Sequence, residues 1–441
     1  MLLINMLLIK KLSLPYIMSA INISRSSALA FLFHLLFLLL VDLPAISQKL
    51  PVAKPEEAGM SSSRLQRINS LMQHYVDEQK IAGIVSMVAR HGKVVHFEQF
   101  GMMDIEGKKP IQTDAIFRIA SMTKPIISVA VMILFEEGHF QLDDPVSKFI
   151  PEFKDLEVWN SGTYLAPKRE MTIQDLLTHI AGFSREPPLD SLYHQSNLFD
   201  NTLKEMVVKL SKIPLMYHPG EKWHYAMSHD VLGYLVEAIA GMPLDAFLRQ
   251  RIFQPLKMHD TDFYVPKEKI DRLAVAYSLG EEGKLEVFDD FQDSSSLARR
   301  PNYLSGGGGL VSTAEDYMRF AFMLLNGGEL EGVHLLSPKT VDYMTTNHLP
   351  AQLLPIMLDP AIPYYTRGYG FGLGFRVLQD VVASGNLGSE GMYGWGGFFS
   401  TFFWVDPKEK LIGLLLYQIV SPSTYPTNKE FQTLMYQSIV E

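Results

Sequence analysis

Apolar residues fall at Leu65, Ile68, Leu71, Met72 and Tyr75. Recurrence every three or four places puts them on one stripe and predicts a helix over 62–79. Two apolar runs follow, at 84–89 and 94–100, rich in Val, Ile and Phe and separated by His91-Gly92, the pattern of a β-hairpin. The run 126–135 is apolar on every side, with Gly138 just beyond it, and predicts a helix buried all round and closed by that glycine. From about Asp143 to Arg300 the pattern changes. Prolines recur there, and short helical stretches at 172–178, 201–210, 229–240 and 244–252 lie between them. Residues 305–310 (SGGGGL) read as a turn, and Ser312-x-x-Glu315 as a capping box for a helix ending near Asn326. β-rich runs return at 371–377, 398–405 and 411–417, and Thr427-x-x-Glu430 fits the cap of a last helix running to about Val440.

Strands at both ends and helices between them predict an α+β fold. The two ends meet in one sheet to form an α/β lobe, from about 48–142 and 301–441, and residues of about 143–300 form a mostly helical lobe. A cleft between two such lobes is the expected place for a site. Before this domain lies an apolar block at 28–41, preceded by Lys10, Lys11 and Arg25 and followed by Ala45-Ile46-Ser47. A basic segment, an apolar core and small residues at the cleavage positions predict a signal peptide over 1–47 and a periplasmic or secreted protein. The block is shorter than the ~20 residues of a membrane span, so membrane attachment is expected only through an uncleaved leader.

Composition narrows the chemistry. The 441 residues are 47% hydrophobic, enough for a large core, and carry 39 basic against 48 acidic residues, a formal charge of −9. Such a surface repels nucleic acid, and none is expected as a partner. There are no cysteines, which excludes disulfides, thiolate metal sites and cysteine nucleophiles. The 13 histidines give no H-E-x-x-H, and His224 and His229 are five apart, off the spacing of a helical metal pair. The glycine run 306–309 lacks the G-K-[ST] ending of a phosphate loop. No metal and no cofactor are expected.

Ser121-Met122-Thr123-Lys124 sits where the buried helix begins. Spacing i, i+3 puts Ser121 and Lys124 on one helical face. Serine becomes nucleophilic when a neighbour takes its proton, and a partly buried lysine one turn away is able to do so. The helix N-terminus favours a developing oxyanion, and Pro125 is tolerated only in a first turn. Tyr225, in Trp223-His224-Tyr225-Ala226-Met227-Ser228, lies just before the helix expected from His229. A tyrosine beside a lysine can share its proton. Tyr393-Gly394-Trp395-Gly396-Gly397-Phe398 enters a strand, and glycines there let a backbone N–H approach a ligand. Taken singly, each has an ordinary alternative: a helix-capping serine, a core tyrosine, a tight turn.

In combination and in this order, Ser121-x-x-Lys124, Tyr225-x-Met227 and Trp395-Gly396-Gly397, with the 176–182 stretch (LLTHIAG), Pro219-Gly220 and 305–310, resemble the serine β-lactamase and penicillin-binding superfamily. The chain is most similar to the class C β-lactamase-like branch that includes the family VIII carboxylesterases, over about Lys54 to Val440. The resemblance implies a β-lactamase/transpeptidase-like fold, an antiparallel sheet flanked by helices plus a helical lobe. It implies Ser121 as the acylated nucleophile and Lys124 with Tyr225 as its general-base pair. Backbone N–H groups of Ser121 and Phe398 would form the oxyanion hole, and His179 would be structural. No G-x-S-x-G elbow is present, which argues against an α/β-hydrolase triad.

Two positions depart from the lactamase pattern. Trp395 stands where the last motif of the lactamases carries a lysine that binds a substrate carboxylate, and Met227 where the second motif carries an asparagine. A charge-assisted contact contributes ~1.5–3 kcal/mol, and methionine donates no N–H. Met227, Tyr393, Trp395, Gly396, Gly397, Phe398 and Phe399 are therefore expected to make an apolar substrate-binding surface suited to a neutral small-molecule ester or related acyl compound. A β-lactam or D-Ala-D-Ala peptide substrate on the same fold, and a non-catalytic scaffold that binds peptidoglycan or a partner protein, are the competing expectations.

Overall fold

The computed structural model describes residues 50–288, 297–358, 365–420 and 425–441. The leader expected over 1–47 lies outside these residues. Helix α1, Ser62–Asp77, starts at Ser61, whose hydroxyl accepts from the Arg64 N–H, and buries Leu65, Ile68, Met72 and Tyr75. It stops short of the predicted end because Gln79 takes a φ of +55°, which no right-handed helix contains. Strands β1 (Gly83–Arg90) and β2 (Lys93–Asp104) form the predicted hairpin. His91 and Gly92 at its tip have φ of +51° and +77°, the two left-handed residues of a type I′ turn that matches strand twist.

Next come β3 (Lys109–Pro110), β4 (Phe117–Arg118) and the buried helix α2 (Thr123–Glu136). Helix α3 (Ser228–Ala240) belongs to the central stretch. Then follow β5 (Val311–Ser312) and α4 (Ala314–Leu325). Strands β6 (Tyr369–Phe371), β7 (Arg376–Leu378), β8 (Tyr393–Gly396), β9 (Phe402–Asp406) and β10 (Leu411–Tyr417) precede α5 (Thr427–Tyr436).

Eight of these strands make one antiparallel sheet in the order β6-β7-β8-β9-β10-β1-β2-β3. Strand β10 pairs with β1 from Ile84 opposite Tyr417 to Arg90 opposite Leu411, so sequence-distant ends of the domain share a ladder, as expected. Every residue of β1, β9 and β10 is buried. Such strands read as continuous apolar runs instead of alternating ones, because helices cover both faces. Among the described residues no single helix is long and apolar enough to cross a membrane.

Four local expectations change. The run 371–377 is two strands, because Gly372 and Gly374 turn the chain, Gly372 N–H donating to Phe375 O. The run 398–405 pairs only from Phe402, since Gly397 N–H closes a turn on Thr401 O. Ser312 lies in β5, and the α4 cap is Thr313, whose hydroxyl accepts from Asp316 N–H at 3.2 Å. Thr427 makes no capping box; its hydroxyl is taken by Tyr417 Oη, and α5 ends at Tyr436.

Asp316, in the first turn of α4, is buried and makes no ion pair among the described residues. Its Oδ2 accepts from Asp260 N–H at 2.7 Å and from Thr261 Oγ1 at 2.9 Å. Burial outweighs these bonds and pushes its carboxyl up to about 7. A carboxyl raised in the folded state holds its proton where the unfolded chain has released it. Stability therefore falls as pH rises from about 4 to about 7 and is flat above. Asp316→Asn keeps the two acceptor contacts and removes the titration. Thermal melts at pH 5 and pH 8 should show the variant gaining on the order of 2–4 kcal/mol over wild type at the higher pH. Equal differences at both pH values would refute the assignment.

Candidate active site

Strand β4 pairs with β5, Phe117 opposite Ser312 and Arg118 opposite Val311. This ladder sets the chain leading to Ser121 beside the glycine run 305–310. Ile119 N–H donates to Leu310 O at 3.1 Å, Leu310 N–H to Thr123 Oγ1 at 3.1 Å, and Tyr317 Oη to Met122 O at 2.9 Å. Between these ties Ala120 takes a φ of +43°. A left-handed alanine costs roughly 1–2 kcal/mol and persists only where its surroundings over-determine it, as these bonds do. Ala120–Met122 form one 3-10 turn that runs into α2, so Ser121 stands just outside the helix and not within it.

Every residue of α2 from Thr123 to Leu134 is buried. Lys124 is 5% exposed, and its Nζ is held by two oxygens. It donates to Ser121 Oγ at 3.1 Å and to Gly307 O at 2.5 Å. Gly307 is itself fixed by Asp230 in the first turn of α3, whose Oδ1 accepts from Ser305 Oγ at 2.7 Å and from Gly307 N–H at 3.1 Å. A Cβ on Gly307 would lie 2.5 Å from Asp230 Oδ2, so a side chain there would have to displace that carboxylate. The sequence marked this run as a turn and missed that it offers a carbonyl to the lysine. The glycine run itself was the signal that backbone approaches something closely there.

Tyr225 lies in the loop before α3. Lys124 Nζ sits 4.5 Å from the centroid of its ring. The Tyr225 hydroxyl accepts from Trp395 Nε1 at 3.3 Å, its one hydrogen bond among the described residues. The expected lysine–phenol proton sharing is therefore not made directly. Nζ is drawn to Ser121 and Gly307, and the phenol oxygen accepts from the indole. His179 stacks on Tyr225 at 4.7 Å and on His229 at 4.9 Å. Both His179 ring nitrogens are buried without a hydrogen-bond partner among the described residues. Burial first, and then the nearby Lys124, hold His179 well below the ordinary histidine value. Burial, His179 and Lys124 do the same for His229, whose Nε2 pairs with Ser128 Oγ at 3.1 Å. The pair forms a neutral wall behind Tyr225.

The expected substrate surface is largely core. All four residues of β8 are buried inside the sheet, between β7 and β9. Trp395 is 1% exposed and packs on Phe371 and Tyr365, Tyr393 packs edge-on against Phe375, and Met227 is buried as well. Phe399 is buried between Phe398 and Phe288. Of these aromatic side chains Phe398 alone is open, at 50%. Gly396 closes β8. At Gly397 a Cβ would lie 2.4 Å from Ile119 O, and Thr401 Oγ1 donates to that same carbonyl at 3.2 Å. The turn carrying Phe398 thus lies against the chain that carries Ser121. Among the described residues no group of three His, Asp or Glu side chains is placed to hold a metal.

A family model described as Beta-lactamase matches residues 68–434. The chain belongs to the beta-lactamase family. The fold is the β-lactamase/transpeptidase-like one, and the chain is a serine hydrolase of that family. It is 30% identical over 383 residues to esterase EstB of Burkholderia gladioli, covering 81% of this chain and 91% of that one. A putative D-alanyl-D-alanine carboxypeptidase of Salmonella enteritidis is 27% identical over 417 residues, covering 86% and 89%. Among solved structures, EstCE1, described as a hydrolase with promiscuous acyltransferase activity, superposes with a TM-score of 0.75 at 27% identity, covering 85% of this chain and 99% of that one.

Proposed function

We propose that this beta-lactamase-family hydrolase cleaves carboxylic esters through an acyl intermediate on Ser121. The observation that carries the reading is the 3.1 Å contact between Lys124 Nζ and Ser121 Oγ, made by an amine that is otherwise buried and held by the Gly307 carbonyl. Ser121 Oγ attacks the ester carbonyl carbon as its proton passes to Nζ. The oxyanion meets the N–H groups of Ser121 and Phe398. The alkoxide leaves with the proton from Nζ. Water then attacks the acyl carbon, its proton passing through the same amine, and Ser121 leaves as the acid is released. Tyr225 lies beside Nζ and completes the proton-handling group.

Ester is favoured over β-lactam by the groups around this centre. The position that holds the carboxylate-binding lysine in the lactamases is the buried indole of Trp395, and Met227 offers no amide. Exposed Phe398 adds apolar surface beside the proposed oxyanion donors. EstB, an esterase by name, supports the same choice. A short-chain nitrophenyl ester and a chromogenic cephalosporin assayed side by side should differ at least tenfold in kcat/KM in favour of the ester, the size of one lost charge-assisted contact. Rapid cephalosporin turnover without ester hydrolysis would sink the substrate assignment.

A further inference from the structure

The glycines at 306–309 have no conformation of their own, because each is free over most of backbone space. The carbonyl that meets Lys124 belongs to the second of them, so something outside the run must set where it points. Helix α3 does so. A Cβ on Gly306 would lie 2.3 Å from His229 O and 3.4 Å from Gly233 Cα, so the run lies backbone to backbone on the helix. Asp230 then takes two donors of the loop: its Oδ1 accepts from Ser305 Oγ at 2.7 Å and from Gly307 N–H at 3.1 Å. The residue is 6% exposed and makes no ion pair among the described residues. Burying a carboxylate without a cation is unfavourable unless fixed hydrogen bonds satisfy it, so carboxylate and loop hold each other in one place. Burial, and then the charge of Asp230, push the phenol of Tyr303 up, so this neighbour stays neutral beside the carboxylate.

We propose that Asp230 is the positioning residue of Lys124: by clamping Ser305 and Gly307 it fixes the Gly307 carbonyl, and that carbonyl holds Nζ at hydrogen-bond distance from Ser121 Oγ. The contacts run unbroken from carboxylate to nucleophile. Asp230 Oδ1 holds Gly307 N–H, Gly307 O accepts from Lys124 Nζ at 2.5 Å, and Nζ donates to Ser121 Oγ at 3.1 Å. Among the described residues Asp230 bonds to neither the amine nor the serine; it acts through one glycine. A lysine stem is flexible, and an acceptor in a fixed place removes much of that freedom before the reaction starts. A base held in place by a third group is the recurrent arrangement of nucleophilic catalysis. Here the holding group is a peptide carbonyl, and the carboxylate stands behind it. Gly307 is not in the left-handed region, so alanine there adds crowding without backbone strain. Its Cβ, 2.5 Å from Asp230 Oδ2, would push carboxylate and loop apart while every polar group is kept.

The inference rests on the proposed role of Lys124 as proton acceptor, so Lys124→Met is measured alongside. Full-length wild type, Asp230→Ala, Asp230→Asn and Gly307→Ala are compared in nitrophenyl ester hydrolysis, in the rate and final extent of covalent labelling by a fluorophosphonate, and in thermal melts. Asp230→Ala should lose about ten- to a hundredfold in kcat, the scale of a reacting group displaced by about 1 Å, with KM within about threefold. Its labelling should slow by a similar factor and still reach completion, whereas misfolding would lower the extent instead. Asp230→Asn, whose amide oxygen can accept both donors, should recover most of the rate. Gly307→Ala should be slowed as Asp230→Ala is. If Lys124→Met is crippled while Asp230→Ala keeps kcat within about twofold of wild type, the positioning role is overturned and the role of Lys124 stands. If Lys124→Met turns over ester at the wild-type rate, both fall. Asparagine as slow as alanine would also overturn the positioning role, because charge and not placement would then be what matters. Should Asp230→Ala fail to fold, Gly307→Ala decides, since it keeps the carboxylate and only displaces it, and an unaltered kcat there refutes the clamp.

Discussion

Ser121→Ala is expected to lower ester kcat/KM by at least about a thousandfold and to abolish covalent labelling by a fluorophosphonate. Removing the nucleophile from a covalent mechanism leaves only what binding and oxyanion stabilisation contribute, and in serine hydrolases that remainder is small. The loss should come without loss of fold. The Ser121 side chain is only half-buried, and among the described residues its hydroxyl bonds to Lys124 alone. The φ of +43° at Ala120 is held by backbone bonds of Ile119, Leu310 and Met122 that do not pass through the serine hydroxyl. Melting temperature should therefore stay within a few degrees of wild type. Intact-mass measurement after incubation with the fluorophosphonate separates the possibilities, since wild type should gain one adduct mapping to Ser121. Unchanged labelling or turnover in Ser121→Ala would move the chemistry to another residue and remove the catalytic reading of this site.

What the sequence made legible was whatever is local or periodic. The i, i+3 spacing of Ser121 and Lys124 places them on one side of a turn, and the structure does bring their side chains to 3.1 Å. The β1–β2 hairpin was legible from His91-Gly92, and the burial of α2 from the absence of a polar face. The contacts that shape the site were not, because they depend on register between distant segments. Gly307 meets Lys124 only because β4 pairs with β5 in one register. Trp395 read as substrate surface because a strand of aromatic and glycine residues looks the same from sequence whether it lines a cleft or crosses the middle of a sheet. Its burial follows from the pairing of β8 with β7 and β9. The caps failed for a related reason. Ser312 and Thr427 carry the right spacing, but strand pairing claims the first and Tyr417 the second.

Lys124→Met should cost about a hundred- to ten-thousandfold in kcat with a small change in KM, the range expected when a positioned general base is lost. Methionine matches the length of the lysine stem and fills the same buried space, so a loss of activity cannot be put down to a cavity. Stability is expected to hold or rise, because the wild-type helix keeps a polar amine 5% exposed among apolar residues. The cost is that Gly307 O loses the donor at 2.5 Å. Lys124→Arg is the informative partner. A guanidinium keeps positive charge near Ser121 Oγ and can still reach a carbonyl, yet it does not give up its proton in a protein. If the amine works as a base, arginine fails as completely as methionine. If it works only as a fixed charge that supports the oxyanion, arginine recovers much of the lost rate. Steady-state kinetics on wild type, Lys124→Met and Lys124→Arg thus distinguish a proton acceptor from an electrostatic support, and substantial rescue by arginine would replace the first role by the second.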